Sequence, residues 1–303
     1  HVFKMMAIRP AHLPTFDEVA GRVREDLRRL RRQDAVRRYQ DALGPDTPAE
    51  MIRLEGGRFW MGSTPEEMDR RVELATRFVG RFKTVQRIWF EDEEHRATRV
   101  RPFWLDRTEV TVARYARFLA APAVDAGEMP VVGVTHTQAA AYCAWAGKRL
   151  PTAEEWEFAA RGVERRAFPW GDEDPDGTRA NFADRRLDRP WSDLDHDDGH
   201  EGLAPVGSYP AGATPEGILD LGGNAREWTD SATLGVVDPR NGQIYSWWQR
   251  EAIPVGIPRE PIPMVFIKGG AFDGAADDLW SADIRLARPD AATPSLGFRC
   301  ARD

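Results

Sequence analysis

Sulfur is scarce in this chain of 303 residues. It holds two cysteines, Cys143 and Cys300, so neither a cysteine-rich zinc site nor a disulfide-dense scaffold can be built from it. Read from composition, the pair is either two buried small hydrophobes or one bridge closing most of a domain. Long apolar runs are missing too: no stretch approaches the roughly 18 to 20 residues of a membrane-spanning helix, and the most apolar windows are cut by Arg or Gly. An excess of positive charge is missing, since the formal net charge is −7, which argues against a domain that grips nucleic-acid phosphates. There is no G-x-S-x-G elbow, P-loop, H-E-x-x-H or C-x-x-C, so serine-nucleophile, nucleotide and zinc chemistries have no local support. Internal repeats and low-complexity tracts are also lacking. Because the first residue is His1, a signal peptide or anchor upstream is left open.

What is present suffices for a sizeable core, with 42% hydrophobic and 30% charged residues. Over residues 14 to 43, Val19, Val23, Leu27, Leu30, Val36, Tyr39 and Leu43 recur at helical spacing, which predicts a long amphipathic helix whose other face is crowded with arginine. It stops at "GPDTP", and a boundary there divides a helical extension, residues 1–50, from a domain, residues 51–303. A stripe of this kind needs cover, so residues 1–50 are expected to dock on a protein partner or a larger assembly.

From Met51 the texture changes to short apolar runs broken by Gly, Pro and Asp, with 11 Trp in the whole chain. Thr111 is placed to cap a helix bearing Val112, Tyr115, Phe118 and Leu119. "HTQAAAYCAWAG" reads as a second helix stopping at Gly147. In "LPTAEEWEFAARG", Thr152 and Glu155 form a capping box and Gly162 is the terminator.

Six segments then follow one another in order: "MIRLEGGRFWMGS", "FWLDRTEVTVARYARFL", "MPVVGVTHTQAAAYCAWAGKRLPTAEEWEFAARG", "FPWGD", "GILDLGGNAREWTD" and "KGGAF…LGFRCARD". Together they resemble the formylglycine-generating enzyme family, also called the sulfatase-modifying-factor domain, over about residues 51 to 303. The resemblance implies an irregular α+β fold with C-type-lectin-like topology, little regular secondary structure, two small antiparallel sheets and several helices. It implies a disulfide between Cys143 and Cys300, and with it an extracytoplasmic location, periplasmic or secreted.

Catalytic members of that family carry two further cysteines between "GGS[FY]" and "GFR", bind copper through them and use oxygen to oxidise a sulfatase cysteine. Here the matching interval, "DGAADDLWSADIRLARPDAATPSL", has no sulfur. Carboxylates and a hydroxyl are poor ligands for monovalent copper, so neither copper nor formylglycine-forming activity is expected, and no catalytic residue is assigned. The expected function is that of a non-catalytic, calcium-stabilised subunit that binds a protein or ligand. The alternative is an oxidative tailoring enzyme of the same fold that needs no copper-thiolate pair. Its pocket, and any ligand, would lie at the C-terminal segment, lined by Asp277, Asp278, Trp280 and Arg285. Variable proteins of diversity-generating retroelements share the fold and vary an Asn-rich stretch there, whereas residues 265 to 303 contain no Asn.

Calcium takes six to eight oxygen ligands, main-chain carbonyls among them. The resemblance implies one or two ions. One set is Asn181, the Phe182 carbonyl, Asp198 and the His200 carbonyl. The other is Asp220, in place of an asparagine, with the Gly223 and Ala225 carbonyls and Glu227. Asp220 and Glu227 lie seven residues apart across a Gly-Gly turn, so if they converge something positive must sit between them. His196, Asp198 and His200 alternate as H-x-D-x-H, which on a strand would face one side and suit ferrous iron, but the calcium loop already accounts for that segment.

Overall fold

Each capped helix forms where its sequence sets it. The computed structural model describes residues 51–79, 84–90, 95–121, 127–246, 253, 255–257 and 260–303; the helix expected over residues 14 to 43 lies outside them. All belong to one unit, Asp46–Asp303. In chain order the unit begins with strands β1 (Met51–Leu54) and β2 (Gly57–Met61) and helix α1 (Pro65–Val79). Strands β3 (Arg96–Val100) and β4 (Phe103–Asp106) follow, then helices α2 (Val112–Phe118), α3 (His136–Trp145) and α4 (Ala153–Arg161). The rest is strand and loop: β5 (Arg226–Val237), β6 (Ile244–Ser246), β7 (Ile262–Lys268), β8 (Arg285–Ala287), β9 (Leu296–Gly297) and β10 (Ala301–Arg302).

Thr111 caps α2 through its hydroxyl. Thr152 and Glu155 close a reciprocal box on α4, whose C-cap Gly162 sits at φ 65°. Helix α1 has the same device one residue before its Pro: Thr64 N donates to Glu67 Oε2 at 2.8 Å and Glu67 N to Thr64 Oγ1 at 3.2 Å.

The described strands form three sheets where two were expected. The first has the order β1-β4-β10. The second is the β2–β3 ribbon, antiparallel with Arg58 opposite Arg99 and Trp60 opposite Ala97. It separates from the first because the chain turns at Gly56, at φ 63°, where a Cβ would meet the Val100 carbonyl at 2.5 Å. The third runs β6-β5-β7-β8, with β9 parallel to β5. The fold is thus α+β with little regular structure, and its shape is held by side chains rather than by long elements.

Three clusters of apolar side chains make most of the core, centred on Trp228 with Tyr142 and Phe298, on Trp156 with Phe59 and Phe103, and on Trp280 with Phe168 and Phe182. Each of those three tryptophans is almost fully buried. At roughly 150–250 Å² apiece, each contributes on the order of 4–6 kcal/mol of transfer free energy. Cys143 and Cys300 are bonded, with Cα atoms 5.6 Å apart, and the bridge ties α3 to the start of β10.

Candidate functional site

The motif "GFRC" can be read residue by residue. Gly297 packs so close to the Val131 carbonyl that a Cβ would stand 2.5 Å from it. Phe298 fills the Trp228 cluster, and Cys300 closes the disulfide. Arg299 is fully buried and spends all five of its N–H donors. Nε donates to Glu227 at 2.8 and 2.9 Å and Nη2 to Glu227 Oε1 at 2.7 Å. The remaining donors reach the carbonyls of Asp106, Arg107 and Leu219. Trp156 Nε1 adds a donor to Glu227 Oε2 at 2.7 Å.

The loop "DLGGNARE" folds back on itself, at φ 57° for Asp220, 103° for Gly223 and 59° for Asn224. Asp220 Oδ2 accepts from Gly207 N at 2.6 Å. Beside it lies Glu109, whose Oε1 accepts from Asn224 Nδ2 at 3.0 Å and whose buried Oε2 has no partner. Burial, with the charge of Asp220 next, raises the Glu109 carboxyl well above the usual carboxylate range; burial raises Asp220 as well. The positive charge required between Asp220 and Glu227 is therefore supplied by the chain itself, as Arg299. Glu227 is engaged by Arg299 and Trp156, while the Asp220 carboxylate accepts from Gly207 N and Glu109 Oε2 stays without a donor.

The second loop lies against the first. Asn224 N donates to the Asn181 carbonyl at 2.9 Å, and Asn181 Nδ2 donates to Asn224 Oδ1 at 3.1 Å. Asp198 is only 7% exposed; its Oδ2 accepts from Phe182 N at 3.1 Å and its Oδ1 from His200 N at 2.8 Å. Burial, helped by the charge of Asp184, pushes Asp198 up to about 6. Phe182 and His200 thus meet Asp198 through their main-chain N–H groups, Asn181 turns its amide to the Gly202 carbonyl and Asn224, and among the described residues no cationic side chain is bonded to Asp198. Among the described residues no three His, Cys, Asp or Glu converge as a metal-holding group. The H-x-D-x-H segment is bent coil rather than strand, so its side chains diverge: His196 Nδ1 lies 2.6 Å from Asp193 Oδ2, and His200 Nδ1 lies 2.9 Å from the Tyr209 hydroxyl.

The C-terminal candidates lie close together, as an ion cluster beside a core tryptophan. Trp280 stands edge-on to Phe168 and donates from Nε1 to Ser63 Oγ at 3.1 Å. Asp278 bridges Arg226, at 2.8 Å, and Arg285, at 2.9 Å. Asp283 pairs with Arg71, Arg226 and Arg285, so three guanidinium groups face the three carboxylates of Asp277, Asp278 and Asp283. The part of Arg71 and Arg226 in this pairing does not show in the sequence, because they stand 212 and 57 residues from Asp283.

Asp277 stands apart within that cluster. It is 4% exposed, its Oδ1 meets no donor, and burial followed by the charge of Asp278 raises its carboxyl to about 6 from an ordinary 3.8. An acid raised on folding favours the folded state only while protonated. That contribution is complete below the unfolded value and is lost as pH rises through about 6. Asp277→Asn cannot ionise, so it should exceed the wild type in stability by about 1–3 kcal/mol at pH 8 and lose that advantage at pH 4. Urea denaturation at both values checks this; equal midpoints at pH 8 would refute it.

Comparison with known proteins fits this geometry. The model for the sulfatase-modifying factor enzyme 1-like domain matches residues 40–303. A mouse relative named inactive C-alpha-formylglycine-generating enzyme 2 is 37% identical over 180 residues, 57% of this chain and 49% of that protein. The formylglycine-generating enzyme of Mycobacterium tuberculosis is 34% identical over 181 residues, 57% of each chain. Serine/threonine-protein kinase Pkn1 of Chlamydia trachomatis is 29% identical over 294 residues, 90% of this chain and 42% of the kinase. The chain spans about half the length of the curated relatives it matches. Among solved structures, PvdO from Pseudomonas aeruginosa superposes with a TM-score of 0.56 at 22% identity, over 84% of this chain and 94% of its own. By the match over residues 40–303, which takes in the buried Arg299–Glu227 pair and the Cys143–Cys300 bridge, this chain belongs to the sulfatase-modifying-factor family.

Proposed function

We propose that this chain is a non-catalytic member of the family, a binding or structural subunit stabilised by calcium. The observation that carries the reading is the fate of its sulfur. Both cysteines are in the bridge and the interval from Asp273 to Leu296 has none, so no thiolate remains to hold copper. The inactive mouse relative supports it. The test is incubation of the chain with a cysteine-containing sulfatase peptide, monovalent copper and oxygen, followed by mass spectrometry. Unmodified peptide is expected, and enzymatic conversion of its cysteine to an aldehyde would overturn the reading.

Calcium is assigned to the loop of Asn181, Phe182, Asp198 and His200, whose donors are all oxygens and whose buried carboxylate is short of positive charge. A cation that binds only the folded loop adds about 2.7 kcal/mol at a hundredfold excess over its dissociation constant. Chelation is therefore expected to lower the melting temperature by on the order of 5 °C, with calcium restoring it better than magnesium and Asp198→Asn abolishing the response. A melting curve of metal-free protein that ignores calcium would leave the loop an ordinary acidic turn.

The protein partner is assigned to residues 1–50 on the strength of their apolar stripe. The bridge supports an oxidising, extracytoplasmic compartment. Among the described residues no helix is long and apolar enough to cross a membrane. A second reading, an oxidative enzyme without the copper-thiolate pair, has one observation in its favour: the Asp277 carboxyl, raised to about 6, lies in the range of a general acid or base. An organic cofactor or transition metal retained stoichiometrically through purification would favour it.

A further inference from the structure

The β2–β3 ribbon is unusual for what its exposed side carries. A groove of about 630 Å³ runs beside β3: one wall is β3 and the residues that follow it through Pro102, and the other is the start of α4 with Arg149 and Asp303. Two of the arginines there are neutralised, Arg149 by Glu155 and Asp303 and Arg96 by Glu154. Arg99 and Arg101 are exposed and, among the described residues, reach no carboxylate, and neither does Arg58, which lies directly opposite Arg99 in the ladder. Like charges facing each other across a ribbon destabilise it, and an anion between them removes that cost. On the same face Trp60 is 47% exposed and stacks on His95 at 4.7 Å.

Among the described residues, β2 and β3 pair only with each other, so each leaves a strand edge open. Arg99 and Arg101 both line the groove, two residues apart at the end of β3, and alternate side chains of an extended peptide recur about every 6.6 Å. An open strand edge offers main-chain hydrogen bonds that an extended peptide can complete and a phosphate polymer cannot.

From these observations we infer that the groove binds an extended acidic segment of a protein partner. The segment adds as a strand along β3 and sets carboxylates from alternate residues on Arg99 and Arg101. The open edge supplies main-chain hydrogen bonds and the arginines supply selection for charge. This inference does not depend on whether the chain is an enzyme.

The test uses the full chain and a fluorescein-labelled octapeptide of alternating Glu and Thr, read by fluorescence anisotropy at low ionic strength. Saturable binding is expected, weakened by about tenfold or more in Arg99→Glu with Arg101→Glu, since two attractions become repulsions. Arg117→Glu, at an exposed arginine on α2, should bind as the wild type does. A Glu-Pro octapeptide, which lacks alternate N–H donors, should bind several-fold more weakly. Thermal melts matching the wild type will show that the variants are folded, as exposed and unpaired positions require. Failure of the wild type to saturate overturns the inference. So does equal binding by the double variant, equal binding of the Glu-Pro peptide, or a preference for an oligothymidylate of the same charge.

Discussion

Arg299→Met is expected to destabilise the domain by about 3–5 kcal/mol, the range found when one partner of a buried ion pair is removed. Methionine approximates the length and apolar volume of the stem, so the loss falls on charge and hydrogen bonding. Three main-chain carbonyls lose their donor, and Glu227, itself fully buried, keeps only Trp156. An unpaired carboxylate in that position is driven to take up a proton, which raises its folded value further above 4.5. By linkage the deficit must then be largest at high pH and shrink as pH falls and Glu227 is protonated in both states. Combining Arg299→Met with Glu227→Gln should cost less than the sum of the two single changes, because the second removes the charge that the first leaves stranded. Guanidinium denaturation of the four proteins at pH 6 and 8 checks both statements. A loss under about 1 kcal/mol, or strict additivity, would mean that the pair is not the centre of this site.

That pair also marks how far the sequence can be read. The convergence of Asp220 and Glu227 and the need for a positive charge between them follow from a Gly-Gly turn and Coulomb's law. The identity of the cation does not, since Arg299 stands 72 residues beyond Glu227. Local signals suffice for Thr111, the Thr152–Glu155 box and Gly162, where one turn of chain sets the outcome and the apolar period agrees with it. Helix α1 was missed although "TPEE" carries a capping box. Its inward face includes Arg71, fully buried against Asp283 at a separation of 212 residues, and a charged residue at a core position breaks the apolar period. The Asp277 cluster was hidden for the same reason. Its candidates were located together, but their partners Arg71 and Arg226 come from α1 and β5, and only the tertiary fold brings them in.

Removing the Cys143–Cys300 bridge is the other large effect. The two sulfurs close a loop of 157 residues, for which the chain-entropy model assigns about 5 kcal/mol of stability, arising because the bonded unfolded chain has fewer conformations. Both residues are also buried in the cluster that contains Tyr142, Trp228 and Phe298, so Cys143→Ala with Cys300→Ala adds a packing loss to the entropic one. Two consequences separate these contributions. Either single change opens the same loop, so one substitution should cost nearly as much as both, and the pair will be strongly non-additive. Freed of its cross-link, the unfolded chain expands and exposes more surface, so the slope of stability against denaturant should rise. A purely local packing defect would change the midpoint and leave the slope alone. Thiol titration of the wild type under denaturing, non-reducing conditions should find no reactive group, and two reactive groups per chain would contradict the bridge at once. If the bridge is intact and its loss costs less than about 2 kcal/mol with an unchanged slope, the unfolded ensemble must already hold α3 and the "GFRC" segment near each other, and the stabilising role given to the disulfide would have to be withdrawn.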